Sequence, residues 1–241
     1  MIPNIIHYIW LGKNKLNNTS LICINSWKRI LPEYEIKLWN EDNLNLGQLM
    51  RENNFLKKCI ECGLWAFASD YLRLYILYKE GGVYMDTDVE VIRSFGNLMR
   101  EHFFIGLEKD DYVGTGIIGA EICSPAIKRL LDFYDSEIWN VNYYNNPIIF
   151  KYLMKREPRI FKNCKVLPIE YFSPYDPYNL PNGVIGTENT ICIHWYNASW
   201  GMSRKGYVFL ETKHQKNPGI KLYQIIRKNI GYFRRKDSLN K

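Results

Sequence analysis

The stretch EGGVYMDTDVEV, from Glu80 to Val91, decides how the rest of the chain is interpreted. Its two glycines are typical of the end of a helix, and the residues after them predict a buried β-strand from Val83 to Val91. Asp86 and Asp88 stand two positions apart in this strand, so their carboxylates are expected on one face. Two like charges in one patch raise each other's pKa unless a cation neutralises them. The stretch therefore predicts a metal site.

A helix is predicted on the amino-terminal side of the two glycines, from Trp65 to Lys79. Asp70 and Arg73 are three positions apart in it and share one helix face. Because a Gly-Gly turn lets helix and strand pack closely, this pair is expected beside Asp86 and Asp88. The alternative is an ordinary ion pair on the exposed surface.

Strands and helices alternate through the rest of the first half. Apolar or alternating residues predict strands at Ile5–Leu11 and Tyr34–Asn40, with a helix between them and another within Leu46–Cys62. This alternation favours a mainly parallel sheet covered by helices, with ligands at the carboxyl ends of the strands.

The second half is less regular. FFIGLE and GIIGAE predict two more strands, and TICIHWYNASWG predicts a late strand that runs into a loop. Apolar periodicity predicts helices over Ala126–Tyr134 and Ile148–Lys155.

The composition is that of a globular protein. The chain has 241 residues, of which 46% are hydrophobic, so it can bury one substantial core. No run of 18 apolar residues offers a membrane span, and the apolar start lacks a basic region and a cleavage site, which favours the cytoplasm. Of the six cysteines, only Cys59 and Cys62 form a C-x-x-C pair, so reduced thiols in the core are expected rather than a zinc site.

The positive charge is concentrated at the carboxyl end. Residues 204–241 contain eleven basic and two acidic residues, a net charge of +9. Since the net charge of the whole chain is +7, the first 203 residues carry a net charge of −2. Residues 204–241 are therefore separated as a basic helical tail from a main domain of residues 1–203. Its apolar residues lie near one helix face, as in a helix on an anionic membrane surface: Ile220, Tyr223, Ile226, Ile230 and Phe233. A solvated helix end or a partner contact remains an alternative, and no nucleic-acid recognition motif accompanies the charge.

A D-x-D triplet suits a divalent cation, since Mg²⁺ and Mn²⁺ prefer oxygen ligands and are often held by one or two carboxylates with substrate phosphates.

Other classes of enzyme with paired carboxylates fit this sequence less well. In a glycosidase the two acids flank the scissile bond, which Asp86 and Asp88 on one strand face cannot do. Nucleotidyl transferases usually have a longer stretch between the glycines and the acids, and a haloacid-type phosphatase has Thr or Val where this chain has Glu90.

Several stretches together, in this order, resemble the DXD-containing sugar transferases of glycosyltransferase family 32, whose catalytic core is similar to that of the clostridial glucosylating toxins. They are IPNIIHYIWLG, SWKRILPEYEIKLWNED, ASDYLRLYILYKEGGVYMDTDVEV, IIGAE and IHWYNASW. The resemblance spans roughly Met1 to Gly201. It implies an α/β fold of the GT-A type, a Rossmann-like mixed sheet flanked by helices.

The resemblance also implies roles for the acidic and basic residues already singled out. Asp86 and Asp88 occupy the DXD positions that bind Mn²⁺ or Mg²⁺ and, through it, the nucleotide diphosphate. Asp70 and Arg73 stand where the family has an acid and a base close to the donor sugar and its phosphates. Trp10 stands where similar enzymes stack an aromatic ring on the nucleotide base, the alternative being a core tryptophan.

Further implied positions lie in the loops. His194, Ser199 and Trp200 belong to the segment that in related folds closes over the diphosphate, and His194 is a candidate third metal ligand. Relatives often have Asn or Ser in place of Thr115 or Gly116, so a sugar contact from that loop is in doubt.

The function implied is a metal-dependent retaining glycosyltransferase. It would move a sugar from a nucleotide-sugar donor, expected to be a UDP-sugar, to a glycan or a lipid-linked oligosaccharide in the synthesis of bacterial capsular polysaccharide or lipopolysaccharide. The expected location is the cytoplasm, with peripheral contact to the inner face of the cell membrane. The alternative is a carbohydrate-binding or catalytically inactive scaffold protein, since 15% of the residues are aromatic and could stack on sugars.

Overall fold

The computed structural model describes residues 1–177, 185–197 and 201–239, with residues 233–239 described by their backbone alone. Within these ranges the chain forms a six-stranded sheet flanked by helices and a separate two-stranded sheet. The strands are β1 (Ile5–Ile9), β2 (Glu35–Trp39), β3 (Gly82–Met85), β4 (Val89–Val91), β5 (Phe103–Lys109), β6 (Tyr112–Ala120), β7 (Cys164–Leu167) and β8 (Cys192–His194). The helices are α1 (Asn18–Ile30), α2 (Leu46–Glu52), α3 (Asn54–Glu61), α4 (Trp65–Glu80), α5 (Pro125–Asp135), α6 (Asn146–Arg156), α7 (Arg204–Thr212) and α8 (Pro218–Leu239). The predicted α/β class is confirmed.

The strand order in the large sheet is β2-β1-β3-β6-β5-β7. β1 is parallel to β2 and β3, whereas β6 is antiparallel to both β3 and β5, and β7 is parallel to β5. Five of the six strands thus point the same way, as expected for a mainly parallel sheet, and the sheet is mixed because β6 runs against the others. The reason is that β5 and β6 are joined directly after Lys109 as a hairpin, without a crossover helix.

The Gly-Gly turn brings α4 and β3 tightly against the edge of β1. Gly81 caps α4 with φ 64°, a conformation that favours glycine. At Gly82, a Cβ atom would lie 2.7 Å from the carbonyl oxygen of Ile5 and 2.9 Å from Nε2 of His7. No larger residue fits there, so glycine is what allows β3 to start beside β1.

The predicted strand from Val83 to Val91 is interrupted at the two aspartates. β3 ends at Met85, and the amide of Val89 donates to the carbonyl of Asp86 across a turn (3.1 Å). β4 then pairs with β8 in the small sheet rather than continuing in the large one. Asp86 and Asp88 thus lie in a turn between two sheets, and the expectation that they share one strand face is wrong.

Asn53 divides the predicted helix within Leu46–Cys62 into α2 and α3. It ends α2, and its side-chain oxygen accepts a hydrogen bond from the amide of Leu56 (2.7 Å) at the start of α3. Asparagine is favoured at such a cap because its side chain replaces a missing helical partner.

The core lies on both faces of the large sheet. On one face, α4, α5 and α6 cover residues such as Tyr84 and Ile118, and on the other α1 covers the small sheet. Trp27 of α1 is fully buried and donates from its indole nitrogen to the carbonyl of Val89 (2.7 Å). The six cysteines are unpaired thiols, four of them buried as expected, whereas Cys123 is exposed.

The carboxyl-terminal helices form a hairpin on the side of α3 and α4. α7 buries Leu210 in the main core, and Lys213, just beyond it, donates to three backbone carbonyls (Ile138, Val141 and Tyr143). α8 rests on α7 through an ion pair between Lys228 and Glu211. Within the described residues, no helix combines the length and the apolar character needed to cross a bilayer.

Candidate active site

Helix α4 places Asp70 and Arg73 on its buried face. The two side chains are paired at 3.3 Å, and only 8% of Asp70 and 5% of Arg73 is exposed. The same Nη2 atom of Arg73 lies 3.3 Å from Oδ1 of Asp86, while its Nη1 donates to the carbonyl of Thr115 (2.6 Å). Arg73 therefore joins α4, the DXD turn and β6, and the alternative of an exposed ion pair does not apply.

Burial sets the charge balance of this pair. It raises the pKa of Asp70 to about 6, with Arg73 acting in the opposite direction and Asp86 adding to the rise. Burial acts to lower the pKa of Arg73, but the neighbouring charges, Asp86 above all, raise it overall. The site thus holds a permanent cation, fixed among acceptors, at the bottom of a cleft.

Tyr84 is part of the site although the sequence analysis did not single it out. Its hydroxyl donates to Oδ1 of Asp86 (2.7 Å), and its ring lies under the Arg73 guanidinium at 4.4 Å from the ring centre. The signal was present in the sequence, since Tyr84 stands two residues before Asp86, where an extended chain points side chains to the same side.

The second aspartate of the motif is held by the opposite wall. Asp88 Oδ1 lies 3.3 Å from Nε2 of His194, at the end of β8, and Oδ2 accepts from the amide of Asn197 (2.8 Å). Burial acts to raise the pKa of Asp88, but these partners lower it overall. Burial likewise acts to lower the pKa of His194, but the hydrogen bond with Asp88 and the neighbouring negative charges together outweigh it, so this pKa is raised.

Asp86, Asp88 and His194 form a group that can hold a metal ion. One ligand atom from each lies within 4.8 Å of the other two. Gly116 leaves the space for them, since a Cβ atom there would lie 3.0 Å from Oδ2 of Asp86 and 3.1 Å from Cε1 of His194. Two carboxylate oxygens and one imidazole nitrogen are a donor set suited to Mn²⁺, and the carboxylates to Mg²⁺.

The cleft beside this group is lined by residues of α4, β3, the DXD turn and β8. Its lining includes Ser69, Arg73, Tyr84, Asp86, Asp88 and His194. Among the predicted donor-binding residues, Trp10 directly follows β1, and its indole nitrogen donates to the carbonyl of Asn14 (2.6 Å). Its neighbour Ile9 lines the cleft. Ser199 and Trp200 lie outside the described residues.

The position of Thr115 and Gly116 bears on the sugar contact that the sequence left in doubt. Thr115 is buried, and its carbonyl accepts a hydrogen bond from Arg73. Gly116 has no side chain that could contact a sugar. This stretch of β6 therefore positions the arginine and leaves room for the side chains of Asp86 and His194.

Comparison with known proteins agrees with this geometry. A family model described as "Glycosyltransferase sugar-binding region containing DXD motif" matches residues 18–104, which include Asp70, Arg73, Asp86 and Asp88. An uncharacterised glycosyltransferase of Acanthamoeba polyphaga mimivirus is 24% identical over 231 residues, 89% of this chain and 90% of the relative. Inositol phosphoceramide mannosyltransferase 1 of Schizosaccharomyces pombe is 26% identical over 227 residues, 87% of this chain and 66% of that enzyme.

Solved structures share the fold. The PaToxG glycosyltransferase superposes with a TM-score of 0.53 at 19% identity, covering 67% of this chain and 73% of that one. The ligand-free glycosyltransferase domain of the YGT toxin superposes with a TM-score of 0.52 at 11% identity, covering 94% and 90%. Residues 18–104 therefore resemble the sugar-binding region of the DXD-containing glycosyltransferases, and the solved structures show that the chain has the GT-A fold.

Proposed function

We propose that this glycosyltransferase is a metal-dependent, retaining enzyme that uses a nucleotide-sugar donor, a UDP-sugar. The observation that carries the proposal is the group of Asp86, Asp88 and His194 beside the buried guanidinium of Arg73. A metal ion and an arginine at one end of a cleft are a site for a diphosphate, because both stabilise negative charge on phosphate oxygens.

Each residue has a role in this proposal. Asp86, Asp88 and His194 hold Mn²⁺ or Mg²⁺, and Arg73 binds the phosphate next to the sugar. Asp70 accepts hydrogen bonds from sugar hydroxyls and so fixes the orientation of the donor. Trp10 stacks on the nucleotide base, and Ser199 and Trp200 close over the diphosphate.

The chemistry is the breaking of the bond between the anomeric carbon and phosphate. When bound, the metal ion stabilises the charge that develops on the leaving diphosphate. The protein adds Arg73, whose position between Asp70 and Asp86 is set by hydrogen bonds to the carbonyls of Ser69 and Thr115. In the retaining course that we propose, the acceptor hydroxyl attacks from the side of the leaving group, and the leaving phosphate takes its proton.

We propose a glycan or a lipid-linked oligosaccharide as the acceptor, in the synthesis of a bacterial surface polysaccharide such as capsule or lipopolysaccharide. Support for a lipid-linked acceptor comes from the fission-yeast relative, whose name gives inositol phosphoceramide, a lipid, as its acceptor. The bacterial polysaccharide is supported by what the resemblance to glycosyltransferase family 32 implies.

The exposed face of α8 supports contact with a membrane surface. Its apolar residues stand in solvent: Ile220, Leu222, Tyr223, Ile226 and Ile230. Ile226 and Ile230 are 54% and 53% exposed, and Arg227 lies exposed beside them. An apolar helix face together with a tail of net charge +9 from Arg204 onward suits an anionic bilayer, where each basic residue contributes about 1 kcal/mol.

The metal site is tested with a panel of nucleotide sugars. Melting temperatures are measured with UDP-sugars and GDP-mannose, with and without Mn²⁺, and donor hydrolysis and transfer are assayed before and after chelation. We expect one donor to raise the melting temperature only with the metal. Asp86→Asn and Asp88→Asn should each lower transfer at least 100-fold without changing the fold, whereas Asp111→Asn, in an exposed ion pair with Lys151, should not. A protein that binds free glycan and ignores every nucleotide sugar would instead be the carbohydrate-binding alternative.

The membrane contact is tested separately on the full chain. The double substitution Ile226→Gln and Ile230→Gln should reduce co-sedimentation with phosphatidylglycerol vesicles, with neutral phosphatidylcholine vesicles as the control. Equal binding of the wild type and the variant to the anionic vesicles would contradict the membrane contact. So would a wild type that binds no vesicles but forms a dimer that the variant does not form.

A further inference from the structure

Glu108 occupies an irregular position in β5. The register of β5 with β6 pairs Leu107 with Val113 and then Lys109 with Tyr112, so Glu108 is an extra residue in the ladder. Such a β-bulge redirects the side chain of the extra residue and is frequent beside active sites. The bulge is thus the local reason why a charged residue at this point turns toward the body of the protein.

Gly114 and Gly116 show where the Glu108 carboxylate lies. A Cβ atom at Gly114 would lie 3.0 Å from Oε2 of Glu108, and one at Gly116 would lie 3.0 Å from Oδ2 of Asp86. In an extended chain, residues two apart point to the same side at a spacing of about 7 Å. The Glu108 carboxylate therefore lies on the side of β6 that carries the metal-binding group, two residues along the strand from it.

Glu108 has no hydrogen bond and no ion pair with any of the described residues. It is half-buried, and burial raises its pKa, with His194 acting in the opposite direction and Asp86 and Asp88 adding to the rise. Taking a carboxylate out of water without a partner costs free energy. An arriving ligand with hydroxyl groups would offset that cost.

Tyr196 lies on the same flank of the metal-binding group. Its ring centre is 4.2 Å from that of His194, and its backbone has φ 52°, which is rare for an aromatic residue. Burial raises the pKa of Tyr196 to about 12, and Glu108 is among the charges that add to the rise. The geometry places the Tyr196 ring on His194 and the Glu108 carboxylate at Gly114, two residues from the glycine that contacts His194, and neither residue lines the cleft that Arg73 lines.

We propose that Glu108 and Tyr196 form the acceptor subsite, on the flank of the metal-binding group opposite Arg73 and Asp70. The ligand is a sugar ring: its apolar face packs on Tyr196, and one of its hydroxyls donates to Glu108. A carboxylate beside an aromatic ring suits a sugar because the ring covers the C–H face while the carboxylate accepts from a hydroxyl. This assignment rests on the proposed function, because it takes the cleft beside Arg73 as the donor site.

The experiment compares transfer with donor hydrolysis in the same reaction. The donor and metal are those selected in the nucleotide-sugar panel, and the acceptors are methyl α- and β-glycosides of glucose, galactose and mannose. Glu108→Gln keeps the size of the side chain and removes its charge, and Gly114→Ala displaces the carboxylate. In both variants we expect the ratio of transfer to hydrolysis to fall at least 10-fold, through a higher KM for the acceptor and little change in the KM for the donor. Glu101→Gln, a half-exposed partner of Lys165, is the matched control and should keep the wild-type ratio.

The outcomes separate the two proposals. If the wild-type protein hydrolyses no nucleotide sugar in the presence of metal, the proposed function is wrong and the acceptor subsite with it. If the wild type hydrolyses and transfers, and Glu108→Gln keeps the wild-type ratio and acceptor KM, the subsite alone is wrong. A rise in the donor KM that equals the rise in the acceptor KM would also overturn it, since that pattern belongs to a general disturbance of the site.

Discussion

The two aspartates of the motif are separated only by Thr87, but they have different partners. Asp86 is approached from α4 and β3, by Arg73 and by the hydroxyl of Tyr84, whereas Asp88 is approached from the segment after β8. Each carboxylate is thus oriented by a different wall of the site. Since outer partners of metal ligands commonly contribute 10- to 100-fold to metal affinity or activity, both walls are open to test.

Tyr84→Phe removes only the hydrogen bond to Asp86 and keeps the ring under Arg73. We expect Mn²⁺ to bind about 10-fold more weakly in the presence of nucleotide diphosphate, because the carboxylate loses the group that orients it. Isothermal titration of Mn²⁺ measures this. Tyr8→Phe, a buried tyrosine that packs edge-on against Trp27, is the control. Equal losses in both variants would mean that Tyr84 acts through stability and not through Asp86.

Gly116→Ala tests the space around the proposed metal ligands. The added methyl group would press against Asp86 and His194 at 3.0 and 3.1 Å, closer than side chains normally approach. We expect metal affinity to fall at least 10-fold while circular dichroism stays unchanged. Gly47→Ala, on exposed α2 where the nearest side-chain atom is 3.9 Å away, should leave affinity unchanged. Wild-type affinity in Gly116→Ala would show that the group is arranged differently when it binds metal.

Some residues of the site could be predicted from the sequence and others could not, for a physical reason. Asp70 and Arg73 could be paired from their spacing alone, because the geometry of a helix is local. Glu108 could not be found, since its direction depends on a bulge that arises only when β5 pairs with β6. Gly116 matters only through what β3 and β8 bring against it, so its role has no local signal either.

Among the elements, the connection between α4 and β3 depends on a buried histidine in the neighbouring strand. His7 of β1 lies 2.8 Å from the carbonyl of Gly81, and its other nitrogen accepts from the indole of Trp39 on β2 (3.0 Å). An indole only donates and a carbonyl only accepts, so these partners fix a neutral imidazole with its proton on Nε2. One side chain thereby links β1, β2 and the Gly-Gly turn.

This arrangement predicts a loss of stability in acid. Burial lowers the pKa of His7 from its ordinary value of 6.5, with the Gly81 hydrogen bond acting in the opposite direction. A folded-state pKa below the unfolded one means that this contribution is present above pH 6.5 and is lost as the pH falls through the folded pKa. His7→Gln keeps a donor and an acceptor without titrating. Between pH 7.5 and pH 5.5, chemical denaturation should show a larger loss of unfolding free energy in the wild type than in this variant. Equal losses would place the acid sensitivity elsewhere.

The interrupted strand shows where local patterns fail at this scale. From Val83 to Val91 apolar residues stand on both sides of the two aspartates, as they could in one strand. Aspartate favours turns, but the stretch itself does not show that its two ends join different sheets. The break comes from its partners, since β3 pairs with β1 and β6, whereas β4 pairs with β8, more than 100 residues away. Strand partners at such a distance cannot be derived from periodicity.

In the whole molecule, the charge pattern of the sequence and the packing of the fold divide the chain at different points. By charge, residues 204–241 form one basic tail, but α7 packs into the core: Leu210 is fully buried, and Gly206 lies against Leu64. Lys213 supplies the hydrogen-bond donor for three carbonyls of the segment after α5. α8, in contrast, contacts α7 with one face and leaves the other exposed. We therefore expect the boundary of the stable unit to lie after α7.

Truncation before and after α7 tests this division. A chain of residues 1–217 loses only the helix that rests on α7, through Lys228 and Glu211 and a hydrogen bond from Tyr232 to the carbonyl of Met202, and it should still unfold cooperatively. A chain of residues 1–203 loses Leu210, whose substitution by Ala alone is expected to cost about 2–5 kcal/mol, and leaves the three carbonyls without Lys213. Because the free energy of unfolding of a whole domain is only about 5–15 kcal/mol, the chain of residues 1–203 should not fold at 37 °C. Thermal unfolding followed by circular dichroism distinguishes the two, and cooperative unfolding of residues 1–203 near the melting temperature of the full chain would show that the boundary follows the charge and not the packing.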